Sequence, residues 1–229
     1  MTHTNRAIPK YFVQIGVFIL FYAGTLFISA GHWDWAGAWI FVALVAAGQI
    51  GVALILLVSN PELMGERAES TGRRDLDRRL AGVMALFGPL SMCIVAGLAM
   101  RFGWLPPLPL ALQSIGVVLA VLGSLTTIWA MATNKFFYGV LRIAPEKGHR
   151  LCTSGPYHYV RHPGYLGTVV FDLATPLVLN SVWAFIPAVL TVYAIVARAA
   201  LEDQALQTGL EGYPEYARQV RYRLLPGVW

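Results

Sequence analysis

A polar stretch in the second half of the chain carries an unusual density of side chains that bind ligands or transfer protons. It reads GHRLCTSGPYHYVRHPGYLG and occupies residues 148–167. Its histidines, arginines and tyrosines are His149, Arg150, Tyr157, His158, Tyr159, Arg161, His162 and Tyr165. The pairs Gly155-Pro156 and Pro163-Gly164 interrupt any helix across it. Because apolar blocks flank it on both sides, we predict a functional loop at a membrane surface.

A guanidinium and two carboxylates follow at the end of a later apolar segment. Arg198 and Glu202 are four residues apart, so a helix places them on one face, about one turn from each other. Asp203 then points roughly 100° away. As an exposed ion pair, Arg198 and Glu202 would contribute under about 1 kcal/mol. Beside the polar loop, they would suit a ligand that has both ammonium and carboxylate groups.

Simpler structural interpretations exist for several of these residues. Pro163 suits the first turn of a helix, and Tyr165 suits the level of the lipid headgroups. His158, taken alone, is interpreted as a surface residue. The tail over 212–226 mixes aromatic and basic residues, which favours an interfacial segment attracted to anionic lipid. Tyr213 and Tyr216 in that tail could also close over a ligand.

The composition indicates a membrane protein. The 229 residues are 57% hydrophobic and 13% charged, with a mean hydropathy of +0.59. The net charge of +5 does not favour a nucleic-acid partner, because the basic residues lie in short segments between apolar runs. Cys93 and Cys152 are the two cysteines; they predict no disulfide framework and match no metal-ligand spacing.

Six apolar segments are predicted to cross the membrane as helices, since a span needs about 20 apolar residues. They are 11–30, 36–58, 81–100, 110–131, 164–180 and 181–200. The first exceeds the apolar core of a signal peptide, so we expect it to be retained. The short turn at 180–181 predicts a tight hairpin of the last two spans. The expected fold class is all-α, a polytopic bundle with about six spans, a cofactor-binding loop and a C-terminal tail.

Basic residues predict the orientation of this bundle, because they collect on the cytoplasmic side. The N-terminus, the 59–80 segment, the 132–163 segment and the tail from Arg198 hold 16 of the 17 lysines and arginines, and Arg101 is the exception. We therefore expect both termini and the active site to be cytoplasmic. The mixed charges of 59–80 indicate a solvated loop or surface helix.

The order of motifs in the second half resembles the isoprenylcysteine carboxyl methyltransferase family of integral membrane methyltransferases. These motifs are GH-x-L, SGPY-x-x-VRHP-x-Y-x-G, a hydrophobic hairpin, R-x-x-x-E, GY-x-x-Y and a basic-aromatic stretch that ends in Leu-Pro. The wider group includes phospholipid methyltransferases. The resemblance covers roughly 134–229, so we expect four N-terminal spans over 1–133 and a catalytic region over 134–229.

The resemblance implies S-adenosyl-L-methionine as the cofactor. The implied cofactor-binding residues are His149, Arg150, Leu151, Cys152, Tyr157, His162, Pro163, Gly164, Tyr165 and Glu202. Arg198 is implied to bind the substrate, and Arg198, Glu202 and His162 are the implied catalytic residues. Many family members have consecutive glutamates where this chain has Glu202-Asp203. We expect the carboxylates at these positions to keep their role despite this difference.

The expected activity is methyl transfer to a lipophilic acceptor, either an isoprenylcysteine-type carboxylate or a lipid. Such a transfer mainly requires two positioned reactants in a dry site. A carboxylate acceptor would be held by Arg198 and would need no base, whereas an amine or thiol would lose a proton to His162 or Glu202. An acceptor of this kind would enter sideways from membrane lipid, and we expect no metal.

Two other classes of function remain open on the sequence. An NADPH-dependent membrane reductase of the sterol or steroid type also carries an R-H-P-x-Y turn, but it usually has Asn before the tyrosine and Gly-Glu after it. Here Gly164 precedes Tyr165, and Gly167-Thr168 follows. The third class is a non-catalytic membrane partner protein. The sequence has no glycine motif of a Rossmann-type methyltransferase.

Overall fold

The computed structural model describes residues 3–61, 63–64, 75–104, 106–138, 143 and 148–229. All regular secondary structure in these ranges is helical, so the all-α prediction is confirmed. The main helices are α1 (His3–Ala30), α2 (Ala36–Ser59), α3 (Asp75–Gly82), α4 (Gly88–Phe102), α5 (Leu110–Thr133), α6 (Pro163–Val178), α7 (Phe185–Gly209) and α8 (Tyr213–Gln219). Much of the predicted 59–80 connection lies outside the described residues.

Five helical segments among the described residues are long and apolar enough to cross a membrane. They are Ile8–Ala30, Ala36–Ser59, Arg79–Phe102, Leu110–Thr133 and Val182–Gly209. Large apolar side chains such as Leu20, Ile28 and Val58 point outward from them, as expected for surfaces solvated by lipid. The predicted polytopic helical membrane fold is therefore confirmed.

The predicted fifth and sixth spans differ in length from the helices observed. Helix α6 has 16 residues, fewer than the roughly 20 that a full span needs. Helix α7 continues past the predicted end at Ala200 as far as Gly209. It passes through Arg198, Glu202 and Asp203 without interruption because each of these charged residues has a polar partner inside the protein. The division of the chain at residue 133 stays a prediction.

Helix α6 packs most extensively against α5, and also against α7. Small residues allow the close approach of α5 and α6: a Cβ atom added to Gly123 would lie 2.6 Å from the carbonyl oxygen of Gly167 and 2.8 Å from the amide nitrogen of Phe171. A turn through Asn180, whose φ is 54°, leads from α6 to α7. The predicted tight connection of these two segments is therefore present.

Helices α3 and α4 form one continuous rod through a turn of π-helix at Val83–Phe87. A π turn disturbs the regular hydrogen bonds of a helix. The hydroxyl of Tyr22 in α1 donates to the carbonyl oxygen of Ala85 at 2.9 Å. Helix α1 thereby binds the rod at its irregular turn, and the two helices also share an apolar core that includes Leu26 and Cys93.

The contact at Gly123 predicts that Gly123→Ala destabilises the protein. The added methyl group meets backbone atoms, which cannot rotate away, so α5 and α6 must separate, at a cost of about 1–3 kcal/mol. Gly24→Ala is the matched control, because a Cβ atom at Gly24 meets nothing within 4 Å and alanine favours a helix by up to about 1 kcal/mol. Thermal unfolding in detergent measures both. Equal melting temperatures for the two variants would contradict the close packing.

Candidate functional site

The polar loop lies against the C-terminal tail, and backbone hydrogen bonds join them. The amide of Arg161 donates to the carbonyl oxygen of Tyr222 at 3.0 Å, and the amide of His162 donates to that of Arg223 at 2.9 Å. The loop includes a short 3-10 turn at Gly155–His158, and Pro163 then begins α6. A proline at the first helical position loses no intrahelical hydrogen bond. The loop therefore enters α6 in a fixed position beside the tail.

Asp203 in α7 is the centre of a buried cluster of polar side chains. Its side chain is fully buried, and its two oxygens lie 2.8 Å from a terminal guanidinium nitrogen of Arg161 and 2.9 Å from Nε of Arg223. The Tyr213 hydroxyl donates to Oδ1 at 2.8 Å, and His162 Nε2 is 3.3 Å from the same oxygen. One carboxylate thus binds the loop, helix α7 and the tail together. We call these five residues the Asp203 cluster.

Two tyrosines of the tail, Tyr213 and Tyr216, donate hydrogen bonds from their hydroxyl groups to α7 and to the loop. Burial raises the pKa of Tyr213, and its hydrogen bond to Asp203 raises it further. Burial also raises the pKa of Tyr216, whose hydroxyl donates to the carbonyl oxygen of Tyr157 at 2.6 Å. Both phenols therefore keep their protons at neutral pH. The hydrogen bond from Tyr216 to Tyr157 therefore holds helix α8 against the 3-10 turn of the loop.

A second set of polar contacts on α7 involves Glu202, the residue next to Asp203, and Arg198, about one turn earlier. The hydroxyl of Tyr165 donates to Oε2 of Glu202 at 2.6 Å. Arg198 does not pair with Glu202 as its spacing would allow; its Nε donates to Oδ1 of Asp77 in α3 at 2.8 Å. Arg198 and Asp77 are both buried, and the guanidinium carbon of Arg198 is 5.8 Å from the centre of the Tyr165 ring. The pair connects the N-terminal half of the protein to the site.

A cavity of about 420 Å³ lies between the loop, the tail and the membrane helices. We call it the site cavity. Polar side chains of the loop and of α7 line one part of it, including His149, Tyr165 and Glu202, whereas Val52 and Met84 belong to its apolar part. Its volume is within the range of small-molecule pockets, about 300–1,000 Å³. A ligand that has both charged and apolar parts fits such a lining.

Comparison with known proteins concerns the part of the chain that supplies most of the polar lining of this cavity. The model of the isoprenylcysteine carboxyl methyltransferase (ICMT) family matches residues 116–208. This part of the chain is ICMT-like. The match runs from within α5 through α6 to nearly the end of α7, and the loop between α5 and α6 falls inside it.

Individual proteins show the extent of the similarity. A probable protein-S-isoprenylcysteine O-methyltransferase of Oryza sativa subsp. indica is 28% identical over 109 residues, 46% of this chain and 57% of the rice protein. A Delta(14)-sterol reductase of Mus musculus is 33% identical over 94 residues, 40% of this chain and 22% of the mouse protein. The chain thus spans little more than half the length of the rice relative.

The similarity of fold extends over the whole chain. The solved structure of a eukaryotic intramembrane Ras methyltransferase, ICMT, superposes with a TM-score of 0.50 and covers 99% of this chain and 96% of its own. Sequence identity in that superposition is 15%. The arrangement of helices is therefore shared, including the first four predicted spans, where the sequence resemblance is weak.

The structure brings the predicted site residues of the ICMT-like region together around the site cavity. Those that line it are His149, Arg150, Leu151, Cys152, Tyr157, His162, Gly164, Tyr165, Arg198 and Glu202. Pro163 is buried at the start of α6. His162 lines the cavity and also contacts Asp203 through Nε2. The assignment of these residues to cofactor, substrate or catalysis stays a prediction.

Sequence reasoning missed the residues that hold the site together. In the sequence, Asp203 stands out only as the neighbour of Glu202, and Arg223 only as one residue of a basic tail, although the two side chains are 2.9 Å apart. Asp77 lies 121 positions from Arg198, so no spacing rule relates them. The adjacent pair Glu202-Asp203 was the available signal, because two consecutive carboxylates in a helix face different neighbours.

His149 occupies an aromatic corner of the loop. Its ring stacks on Phe136 with centroids 4.6 Å apart, and its edge contacts Tyr138. Burial lowers the pKa of His149, and the charge of Glu202 opposes this shift without reversing it. The imidazole is therefore neutral at neutral pH.

The Asp203 cluster predicts that Asp203→Asn loosens the C-terminal tail. The change leaves the buried Arg161 and the partly exposed Arg223 without their counter-charge, and breaking a buried ion pair such as that of Arg161 costs about 3–5 kcal/mol. Hydrogen exchange measures the result as a loss of protection over 213–229. Glu211→Gln, at an exposed position just before α8, is the control. Unchanged protection in Asp203→Asn would show that the tail is held by other contacts.

The lowered pKa of His149 predicts a pH dependence of the loop. The unfolded loop takes up a proton on His149 near its ordinary pKa of about 6.5, and the folded loop does so only at lower pH. Stability of the loop is therefore fully present above that value and declines as the pH falls toward the folded pKa. Hydrogen exchange over 148–154 between pH 7.5 and 5 detects the decline. His149→Phe keeps an aromatic ring at this position but cannot take up a proton, so it should remove this part of the pH dependence.

Proposed function

We propose that this protein is a membrane-embedded methyltransferase that uses S-adenosyl-L-methionine and transfers the methyl group to a lipophilic acceptor. The observation that carries the proposal is the site cavity of the ICMT-like region, which lies between a polar loop and membrane helices. The loop, the tail and α7 supply polar groups at one side, and the membrane helices supply an apolar side. A soluble cofactor and an apolar acceptor need these two environments in one place.

The residues of the site cavity fit the cofactor. Glu202 is an acceptor-only group when ionised, suited to the ammonium group or the ribose hydroxyls of the cofactor. Tyr165 fixes its orientation through the 2.6 Å hydrogen bond. The side chains of His149, Leu151 and Tyr157 at the loop side of the cavity suit an adenine ring. When bound, the cofactor supplies a methyl group on a positively charged sulfur.

The protein's own contribution is to position the reactants and exclude water. No covalent nucleophile is required of the protein, because the bound cofactor would itself supply the methyl group to the acceptor. The Asp203 cluster and the Tyr216–Tyr157 hydrogen bond hold the tail over the loop, which limits access of water from that side. Positioning of this kind accounts for most of what such a site must achieve.

Arg198 and Glu202 are the residues through which the acceptor would be recognised and activated. A carboxylate acceptor would be bound by Arg198, whose Nε donates a hydrogen bond to Asp77 and is held in place by it. An amine or thiol acceptor would need a base, and Glu202 or His162 would accept its proton. Because His162 Nε2 already contacts Asp203, Glu202 is the more accessible of the two candidates.

The proposed orientation has both termini and the site cavity at the cytoplasmic face. It rests on the distribution of lysine and arginine, of which 16 of 17 lie in the segments assigned to that side. Arg101, the exception, lies at the end of α4 beside Gly31. The cofactor would then enter from the cytoplasm and the acceptor from the bilayer.

An NADPH-dependent reductase is the second candidate, because the chain is also similar to a part of the mouse Delta(14)-sterol reductase. The ICMT-like region favours the methyltransferase, since the family model covers the loop and both helices that frame the cavity. A direct comparison of the two cofactors separates the candidates.

Calorimetric binding of S-adenosylhomocysteine and of NADPH to the detergent-purified protein tests the proposal. We expect micromolar binding of the former and none of the latter. Glu202→Ala should weaken binding at least about tenfold, because a hydrogen bond to a charged group contributes about 1.5–3 kcal/mol. Glu215→Ala, an exposed carboxylate in α8, is the matched control and should bind normally.

Each other result has a definite meaning. Binding of NADPH instead would establish the reductase. Binding of neither ligand by a folded protein would leave the non-catalytic membrane partner as the best description. Normal binding by both Glu202→Ala and His162→Ala would show that the cofactor lies elsewhere.

A further inference from the structure

A second cavity of about 420 Å³ lies next to the site cavity, among the membrane helices. We call it the inner chamber. Its walls come from α1, α2, the α3–α4 rod, α5 and α6. It shares with the site cavity the residues Gln49, Val52, Met84, Ala85, Thr127 and Thr168. The two cavities are therefore adjacent along these six residues.

Asp172 is the unusual member of the inner chamber's wall. The chamber is mainly apolar, with side chains such as Ile15, Phe18 and Phe171. Asp172 is 4% exposed, and its Oδ2 has no hydrogen-bond partner among the described residues. A buried polar atom without a partner is rare in folded proteins and costs stability. An apolar side chain of similar size would be more stable here, so the carboxyl group calls for a functional explanation.

The neighbouring hydroxyl groups do not supply the missing partner. Thr168 and Thr175 donate to the carbonyl oxygens of Gly164 and Phe171 within α6. The hydroxyl of Tyr22, across the chamber, donates to Ala85. The protons of these three hydroxyls are thus engaged within the protein. Oδ2 of Asp172 is enclosed by protein atoms, so a molecule inside the chamber reaches this carboxyl group at Oδ1.

Asp172 lies on the same face of α6 as the residue that binds Glu202. Tyr165, Thr168, Asp172 and Thr175 are spaced three, four and three residues apart, which aligns them along one side of a helix. Tyr165 lines the site cavity, Thr168 lines both cavities, and Asp172 lines the inner chamber. Seven residues of helix separate Tyr165 from Asp172, a rise of about 10 Å.

We propose that the inner chamber holds the apolar body of the methyl acceptor and that Asp172 accepts a hydrogen bond from a hydroxyl or ammonium group on that body. This inference rests on the proposed function. The acceptor then has two polar points, one at the Tyr165–Glu202 pair and a hydrogen-bond donor about 10 Å further along. A plain hydrocarbon chain would leave the Asp172 carboxyl unsatisfied, so Asp172 is a specificity-determining residue against such chains.

Photolabelling of the full-length protein in phosphatidylcholine nanodiscs tests this inference. The probes are a twelve-carbon alcohol that carries a diazirine, its methyl ether, and the corresponding primary amine. The ether has the same body without the donor. We expect the alcohol or the amine to label peptides of the inner chamber about tenfold more than the ether, as one hydrogen bond to a carboxylate implies. Mass spectrometry locates the labelled residues.

Variants of Asp172 test whether this side chain causes the preference for probes that carry a hydrogen-bond donor. Asp172→Leu should remove the preference for a donor, and Asp172→Asn should retain part of it because the amide keeps an acceptor oxygen. Thr126→Val is the control, since Thr126 in α5 bonds within its own helix. The melting temperature of Asp172→Leu should be unchanged or higher, because a buried carboxyl without a partner is removed.

Two results would overturn the inference. One is equal labelling of the chamber by alcohol, amine and ether in the unmodified protein. The other is a large fall in the melting temperature of both Asp172 variants, because this would show that the carboxyl group stabilises the fold. Binding of S-adenosylhomocysteine, measured on the same preparation, separates the two proposals. If S-adenosylhomocysteine binds while the labelling shows no preference for a donor, the proposed methyltransferase function is supported and the proposed role of Asp172 is wrong.

Discussion

The buried carboxylate of Asp203 is the interaction on which the arrangement of the site depends. A charge removed from water must be paired, or the protein loses several kcal/mol. Asp203 meets this requirement with partners from the loop and from the tail, which lie about 40 positions before it and 10 to 20 after it. These segments have few ways to fold that satisfy the same carboxylate. The cluster therefore specifies where the loop sits over α7, and with it the wall of the site cavity.

The close packing of α5 and α6 provides the second constraint. Glycine at 123 and 167 brings the two backbones together, and lipid gives no hydrophobic force that would do this by itself. Helix α6 can then present one polar face, from Tyr165 to Thr175, toward the interior while its other sides contact protein. A helix too short to cross the membrane alone is stable here because α5 and α7 surround it. The polar face and the two cavities are thus consequences of how tightly α6 is held.

The pair formed by Arg198 and Asp77 joins the two halves of the chain. Asp77 belongs to an amphipathic helix that precedes the third span, and its carboxylate reaches across to α7. This contact fixes the guanidinium at the boundary between the site cavity and the membrane helices. It also means that a carboxylate acceptor would meet a cation that already has a counter-charge. The electrostatics of the site are therefore set jointly by the ICMT-like region and by the N-terminal half, which the family model does not cover.

The sequence by itself determined the class of fold and the segments that build the site. Apolar runs of about 20 residues need a bilayer to solvate them, so the helical membrane fold and the bounds of the first four spans were accessible without coordinates. The density of histidine, arginine and tyrosine in 148–167 located the loop, and the spacing of Arg198 and Glu202 indicated a helix that carries both, although this helix ends at Gly209 and not at the predicted Ala200. Only the tertiary structure decided the partners. Arg198 pairs with Asp77 rather than with Glu202. Glu202 accepts a hydrogen bond from the Tyr165 hydroxyl, and Asp203 is the centre of a buried cluster. Helical periodicity fixes which residues share a face, but a charged residue's partner depends on which distant segment packs beside it. That packing is set by the shapes of whole helices, which no local pattern encodes.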